Sequence, residues 1–180
     1  MTGTAGLVLA AGAGRRYGGP KAPVVVDGER LIDRAVRVLR EAGCYPVVVV
    51  LGAWVGDVPE AEVVVNDRWA EGMASSLQAG LAALTGRAGC TRAVVTLVDL
   101  PGLTPAAVRR VAGGGHDLAL AVYDGEPGHP VLLAREHWDG VAASVAGDTG
   151  ARRYLRAHDA VEVEVADVAD GGDLDVAATP

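Results

Sequence analysis

The chain has 180 residues, half of them hydrophobic, and a formal net charge of -7. That length and apolar content predict one globular domain over residues 1–180 with a substantial core, and they exclude a disordered chain. The acidic balance argues against nucleic acid or an anionic membrane as a partner, and leaves binding of small anions to local cations.

Phe is absent, so Val, Leu and Ala must build the core, as suits a parallel sheet covered by helices. The first short apolar run, Ala5 to Leu9, reads as a buried strand. Gly28 to Ala42 places Leu31, Ile32, Ala35, Val38, Leu39 and Ala42 at helical spacing, with Gly43 as the stop. Tyr45 to Leu51 is a Val-rich buried strand, and Ala61 to Val65 a third. Glu71 to Leu84 reads as a helix and Arg92 to Val98 as a strand. Thr104-Pro105 is a cap followed by proline at the first helical position, opening a helix to about Ala112. Asp117 to Tyr123 is a strand, Thr149 to His158 a helix, and Ala160 to Val165 a late strand. The tail from Asp167 is acidic and Gly-rich, either an ordered lid or a frayed end.

This alternation predicts an α/β fold, a Rossmann-like, mostly parallel sheet with helices on both faces. The N-terminus lacks the charged region of a signal peptide, and the longest apolar run, Pro46 to Val55, is interrupted by Gly52 and too short to span a bilayer. Cys44 and Cys90 form no C-x-x-C motif and no evident zinc site, so they read as small buried hydrophobes in a reducing cytoplasm.

The segment after the first strand, Leu9 to Lys21, holds Gly12, Gly14, Gly18 and Gly19 together with Arg15, Arg16 and Lys21. Glycines let backbone N–H groups approach a ligand, and the cations complement negative charge, so the segment suits a polyphosphate. It is not an ATPase P-loop, because Lys21 follows Pro20 and precedes Ala22. It is not a dinucleotide fingerprint either, because Tyr17 stands where the third glycine belongs and Gly18 falls one residue late.

Asp99, in Thr96-Leu97-Val98-Asp99-Leu100-Pro101, sits at the carboxyl end of a strand, the edge where open α/β sheets bind ligands. A carboxylate beside a polyphosphate is a natural Mg²⁺ ligand; the alternative is a turn cap before Pro101. Asn66, Gly72, Ser75 and Ser76 lead from a strand into a helix start, either a nucleotide contact or a capped helix. His129 lies in Gly128-His129-Pro130-Val131, and Asp148, Thr149 and Arg152 in Gly147 to Arg152, where Asp148 and Thr149 could also cap the following helix.

The loop Leu9 to Lys21 resembles the L-A-A-G-x-x-x-R-x-G-x-P-K signature of the MobA-like nucleotidyltransferases, most nearly their molybdenum cofactor cytidylyltransferase subgroup. Gly12, Arg16, Gly18, Pro20 and Lys21 fall on its positions, and Gly14 stands where many members have Ser. Asp99 is similar to the metal-holding Asp of the family's D-x-P motif. Asn66, Gly72 and Ser76 match N-x-x-x-x-x-G-M-x-x-S, which contacts the nucleotide. His129, Asp148 and Arg152 resemble the elements that shape the acceptor side.

The resemblance spans about Gly6 to Arg156 and implies a fold of the nucleotide-diphospho-sugar transferase type. It implies a Mg²⁺-dependent nucleotidyl transfer, from CTP by the subgroup matched, to a phosphorylated small molecule. A molybdopterin-type cofactor is the leading acceptor, and pyrophosphate is released. Ala11, Gly12, Ala13 and Gly14 would hold the nucleotide, Arg16 the leaving pyrophosphate, Lys21 the α-phosphate, and Asp99 the metal. Members often end in D-[IV]-D-T-P-E-D-L, and its central Asp falls on Ala169, so a second carboxylate would have to come from Asp167 or Asp170. The rival implied by the same resemblance is an NAD(P)H-dependent oxidoreductase of the nicotine blue reductase type; Asp99 and the displaced Gly18 oppose it.

Overall fold

The computed structural model describes residues 3–174; residues 1–2 and 175–180, which the one-domain expectation includes, lie outside the described residues. A seven-stranded sheet forms from β1 (Thr4–Leu9), β4 (Val47–Leu51), β5 (Glu62–Val65), β6 (Arg92–Leu97), β7 (Leu118–Tyr123), β8 (Glu126–Ala134) and β9 (Val161–Glu164). Its order is β5-β4-β1-β6-β8-β7-β9. All neighbours pair in parallel except β8, which runs antiparallel to both β6 and β7. A two-stranded ribbon, β2 (Val25–Val26) and β3 (Glu29–Arg30), stands apart from this sheet.

The central strands are apolar on both faces because helices cover both. Every residue of β1 and β4 is buried. On one face lie α1 (Leu31–Glu41) and α3 (Pro105–Gly113), with Ile32, Leu39, Val108 and Val111 against Val8, Val49 and Val94. On the other lie α2 (Met73–Thr85), α4 (Trp138–Ser144) and α5 (Arg152–Ala157), with Leu77, Leu81, Trp138 and Leu155 against Leu7, Val48 and Val95. Among the described residues no helix is long and apolar enough to cross a membrane.

Several boundaries differ from the sequence expectation for local reasons. The helix expected from Gly28 begins at Leu31, because Asp27 and Gly28 take left-handed φ values of 52° and 82° and turn the chain into the β2–β3 ribbon. The helix expected over Glu71 to Leu84 is split by Gly72, whose φ of 111° separates a 3₁₀ turn, Trp69–Glu71, from α2. The helix expected from Thr149 starts only at Arg152, because the Thr149 hydroxyl closes a turn on Ala146 instead of capping α5. The strand β8 and the short helix α4 were not anticipated.

The described part of the tail, to Leu174, packs across the loop after β6. The Thr104 hydroxyl donates to Val168 O (2.9 Å), Asp170 N to Gly102 O (3.2 Å), and Leu174 N to Asp99 O (2.9 Å). Thr104 also caps α3, accepting from Ala107 N at 3.2 Å, with Pro105 in the first turn.

Candidate active site

Strand order reverses at β1: the chain steps outward through β4 and β5, then returns to place β6 on the other side of β1. A crevice therefore opens outside the carboxyl ends of β1 and β6, where two loops diverge. A cleft of about 560 Å³ occupies it, lined among others by Ala11 to Tyr17, Lys21, Trp69, Gly72, Met73, Ser76, Asp99 and Asp148.

The loop after β1 is held open toward this cleft by its own folding. Gly14 (φ 58°) accepts from the amides of Gly18 (2.9 Å) and Gly19 (3.1 Å), curling the segment back on itself. A Cβ at Gly14 would stand 1.8 Å from Gly19 O, so glycine is required there. Among the described residues, the amides of Ala11 to Gly14 find no intramolecular acceptor. A row of such N–H groups beside Arg15, Arg16 and Lys21 is an arrangement that can hold an anion.

Lys21 spans the crevice. Its Nζ lies 2.7 Å from Asp99 Oδ2, with both side chains largely buried. Asp99 thus points into the cleft and does not serve as the cap before Pro101 that was its alternative reading.

Opposite the loop, Gly72 brings two segments into contact. Its Cβ position is occupied by Gly147 C and O at 2.4 Å and Asp148 Oδ1 at 2.7 Å. Ala74 N donates to Gly147 O at 2.9 Å. This contact sets Asp148 against the first turn of α2 and on the cleft wall. Trp69 is seated against Gly52, where a Cβ would fall 2.5 Å from Trp69 Cβ and 2.9 Å from Ala11 Cβ.

Not every expected residue reaches the cleft. Asn66 is buried behind it, bonded to Ser75 and Ser76. His129 and Arg152 stand outside its wall. Arg152 donates to Pro127 O (2.6 Å) and borders a second, smaller cavity of about 230 Å³ with Pro127, Leu155 and Glu162. His129 Nδ1 faces Val95 O at 3.4 Å. Burial holds its imidazole below the ordinary histidine value; the bond to Val95 and the charge of Asp99 oppose this, and Arg152 adds to it. Tyr123 donates to His129 O at 2.7 Å, fixing that stretch of β8. Arg15 lines the cleft with the other loop cations, as expected, whereas Tyr17, Trp69 and Met73 are lining residues to which the sequence reading gives no site role. An aromatic ring three residues after Asn66 was the available signal for Trp69.

Neither substitute for the carboxylate missing at Ala169 faces the cleft. Asp167 is paired with Arg110, with one bond at 3.0 Å, and Asp170 accepts from Gly172 N at 2.8 Å. Ala169 packs on the core. Among the described residues no group of three or more His, Cys, Asp and Glu gathers to hold a metal. The carboxylates on the cleft wall are Asp99 and Asp148. One or two carboxylates completed by phosphate oxygens and water is how Mg²⁺ is held in nucleotide sites. The donor set therefore fits a divalent cation carried by nucleotide phosphates, and does not fit one caged by protein alone.

The MobA-like NTP transferase domain matches residues 6–162. Nicotine blue oxidoreductase of Paenarthrobacter nicotinovorans is 36% identical over 84% of this chain and 80% of its own length. A probable molybdenum cofactor guanylyltransferase of Opitutus terrae is 42% identical over 57% of this chain and 50% of its own. The crystal structure of Rv0371c from Mycobacterium tuberculosis superposes with a TM-score of 0.78 at 27% identity, covering 97% of this chain and 94% of that one. The same protein has been solved in complex with manganese, with a TM-score of 0.70 at 27% identity and 91% and 88% coverage. By sequence and by fold, the chain belongs to the MobA-like NTP transferase family and is a nucleotidyltransferase.

Proposed function

We propose that the protein transfers a nucleotidyl group from a nucleoside triphosphate to a small phosphorylated acceptor of the molybdopterin type, releasing pyrophosphate. The observation that carries this reading is the Lys21–Asp99 pair facing the unpartnered amides of Ala11 to Gly14 across one cleft. The guanylyltransferase relative favours GTP over the CTP suggested by the loop signature.

An acceptor phosphate oxygen attacks the α-phosphorus in line. One P–O bond forms, the bond to the bridging oxygen breaks, and its electron pair leaves with pyrophosphate. The amides of Ala11 to Gly14 and the Arg16 guanidinium hold the β- and γ-phosphates. Lys21 moves from Asp99 toward the α-phosphate, where negative charge develops. Trp69, Met73 and Ser76 line the far wall and receive the nucleoside. Asp99, with Asp148 opposite, would hold a divalent cation. When bound it neutralises phosphate charge; Mg²⁺ is the expected ion, and the manganese complex of Rv0371c supports a divalent one. His129 and Arg152, near the start of β8, border the acceptor side. With both cysteines buried and free, a reducing cytoplasm is the expected setting.

The test is transfer of label from α-³²P-GTP and α-³²P-CTP to molybdopterin, with pyrophosphate counted in parallel. Equal label and pyrophosphate with GTP supports the reading; no product with either nucleotide contradicts it. A second reading, reduction of a nicotine-derived pigment with NAD(P)H, is favoured by the 36% identity to nicotine blue oxidoreductase. Hydride transfer does not itself call for a lysine–carboxylate pair, so Lys21 and Asp99 favour the first reading.

A further inference from the structure

Asn66 is buried, 5% exposed, and every polar atom it carries is engaged. Its backbone N–H donates to Leu51 O (2.8 Å), and its carbonyl accepts from Trp69 N (3.2 Å). Its side-chain Oδ1 accepts from Arg68 N (3.0 Å), while Nδ2 donates to Ser75 Oγ (2.9 Å) and Ser76 Oγ (3.1 Å). The orientation of the amide follows from its partners. The Arg68 N–H can only donate, so the oxygen must face it and the NH₂ must face the two hydroxyls. Ser75 agrees with this, since its single proton is shared between Arg68 O and Gly72 O, each at 2.9 Å.

Ser76 is the consequence. Its oxygen accepts from Asn66, its proton has no acceptor among the described residues, and it lines the cleft. We infer that Asn66 is a positioning residue that fixes Ser76 as a hydrogen-bond donor toward the cleft, so that Ser76 selects a nucleobase carrying a carbonyl there. This rests on the nucleoside placement proposed above. With one lone pair engaged by Asn66 and no protein acceptor for its proton among the described residues, Ser76 gains a bond from a ligand carbonyl, while a ligand donor in that place leaves the Ser76 proton unpaired.

The test compares GTP with 2,6-diaminopurine riboside triphosphate, which carries an amino group in place of the 6-carbonyl. Affinities are measured by titration calorimetry on the full chain. Wild type is expected to favour GTP at least tenfold, on the order of one lost bond and one unpaired donor. Ser76→Ala is expected to weaken GTP about fivefold and Ser76→Thr to restore it. Asn66→Asp can only accept, which turns the Ser76 proton away from the cleft, and the preference is expected to fall toward one or below. Asn66→Ala, which adds no charge, frees the hydroxyl and is expected to lower the preference several-fold. Circular dichroism checks that each variant is folded.

Equal wild-type affinity for the two nucleotides overturns the inference without any variant. A folded Asn66→Ala or Asn66→Asp that keeps the full preference, while Ser76→Ala loses GTP affinity, overturns the role of Asn66 alone. A Ser76→Ala variant that binds GTP like wild type overturns the inference and the nucleoside placement together.

Discussion

Lys21 Nζ and Asp99 Oδ2 meet at 2.7 Å, although 78 residues separate them in the chain. The contact bridges the loop after β1 and the loop after β6, the two segments that diverge where the strand order reverses. The two charges neutralise each other, and they are the groups proposed above to meet the α-phosphate and a divalent cation. Nucleotide and cation together can replace both halves of that pair without leaving a charge unmatched.

Replacing Lys21 by Ala is expected to lower turnover at least about a hundredfold while changing nucleotide affinity no more than about threefold. In the proposed mechanism its contact to the α-phosphate strengthens only as charge develops. Steady-state rates beside calorimetric affinities check this. A variant that loses affinity and keeps turnover would remove Lys21 from the chemistry.

Asp99→Asn is expected to abolish the part of nucleotide-dependent stabilisation that requires Mg²⁺ or Mn²⁺, while leaving the cation-independent part. The amide keeps the shape of the side chain and removes the charge that pairs with Lys21 and that, in the proposed site, would hold the cation. Thermal unfolding with GTP, with and without the ion, separates the two parts. An unchanged cation response would assign the metal elsewhere on the cleft.

At Gly14, alanine would place a methyl 1.8 Å from Gly19 O and would need a left-handed φ of 58°. The expected cost is about 2–3 kcal/mol of stability, by backbone strain and a forced loop shift. Nucleotide affinity is expected to fall at least tenfold as the row of amides is displaced. Gly12→Ala meets nothing within 4 Å and serves as the control for stability.

Burial of His129 holds its folded pKa below the ordinary value of 6.5. Between the folded value and 6.5 the unfolded chain binds more protons, so stability falls as pH drops through 6.5 and levels off below the folded value. His129→Asn is expected to flatten that slope. Denaturant midpoints taken from pH 8 to pH 5 measure it, and an unchanged slope in the variant would assign the dependence to other groups.

The layers of the fold were legible because burial on both faces writes itself as unbroken apolar runs, as in Val47 to Leu51, and because Thr104-Pro105 carries both cap and first-turn chemistry. Strand β8 was hidden by Pro127, Gly128 and Pro130, which read as breakers; only Val131 to Ala134 show the buried pattern, and pairing with β7 shifts register between Leu120 and Val122. Helix α4, at seven residues, is too short to display a period. At the site, Lys21, Asp99 and Gly14 stood out by residue type and place. The role of Asn66 did not, since an amide that contacts a ligand and one that orients two hydroxyls look alike in sequence. The contact of Gly72 with Gly147 and Asp148 joins distant segments and leaves no local trace.

The measurement that tests nucleotidyl transfer most directly is the thermal midpoint with GTP, CTP, ATP and NADPH, each with and without Mg²⁺. A ligand that binds only the folded state raises the midpoint with its saturation. The expected result is a large Mg²⁺-dependent rise with GTP, a smaller one with CTP, and little with ATP or NADPH. A Mg²⁺-independent rise with NADPH alone would contradict nucleotidyl transfer and establish a dinucleotide in the cleft.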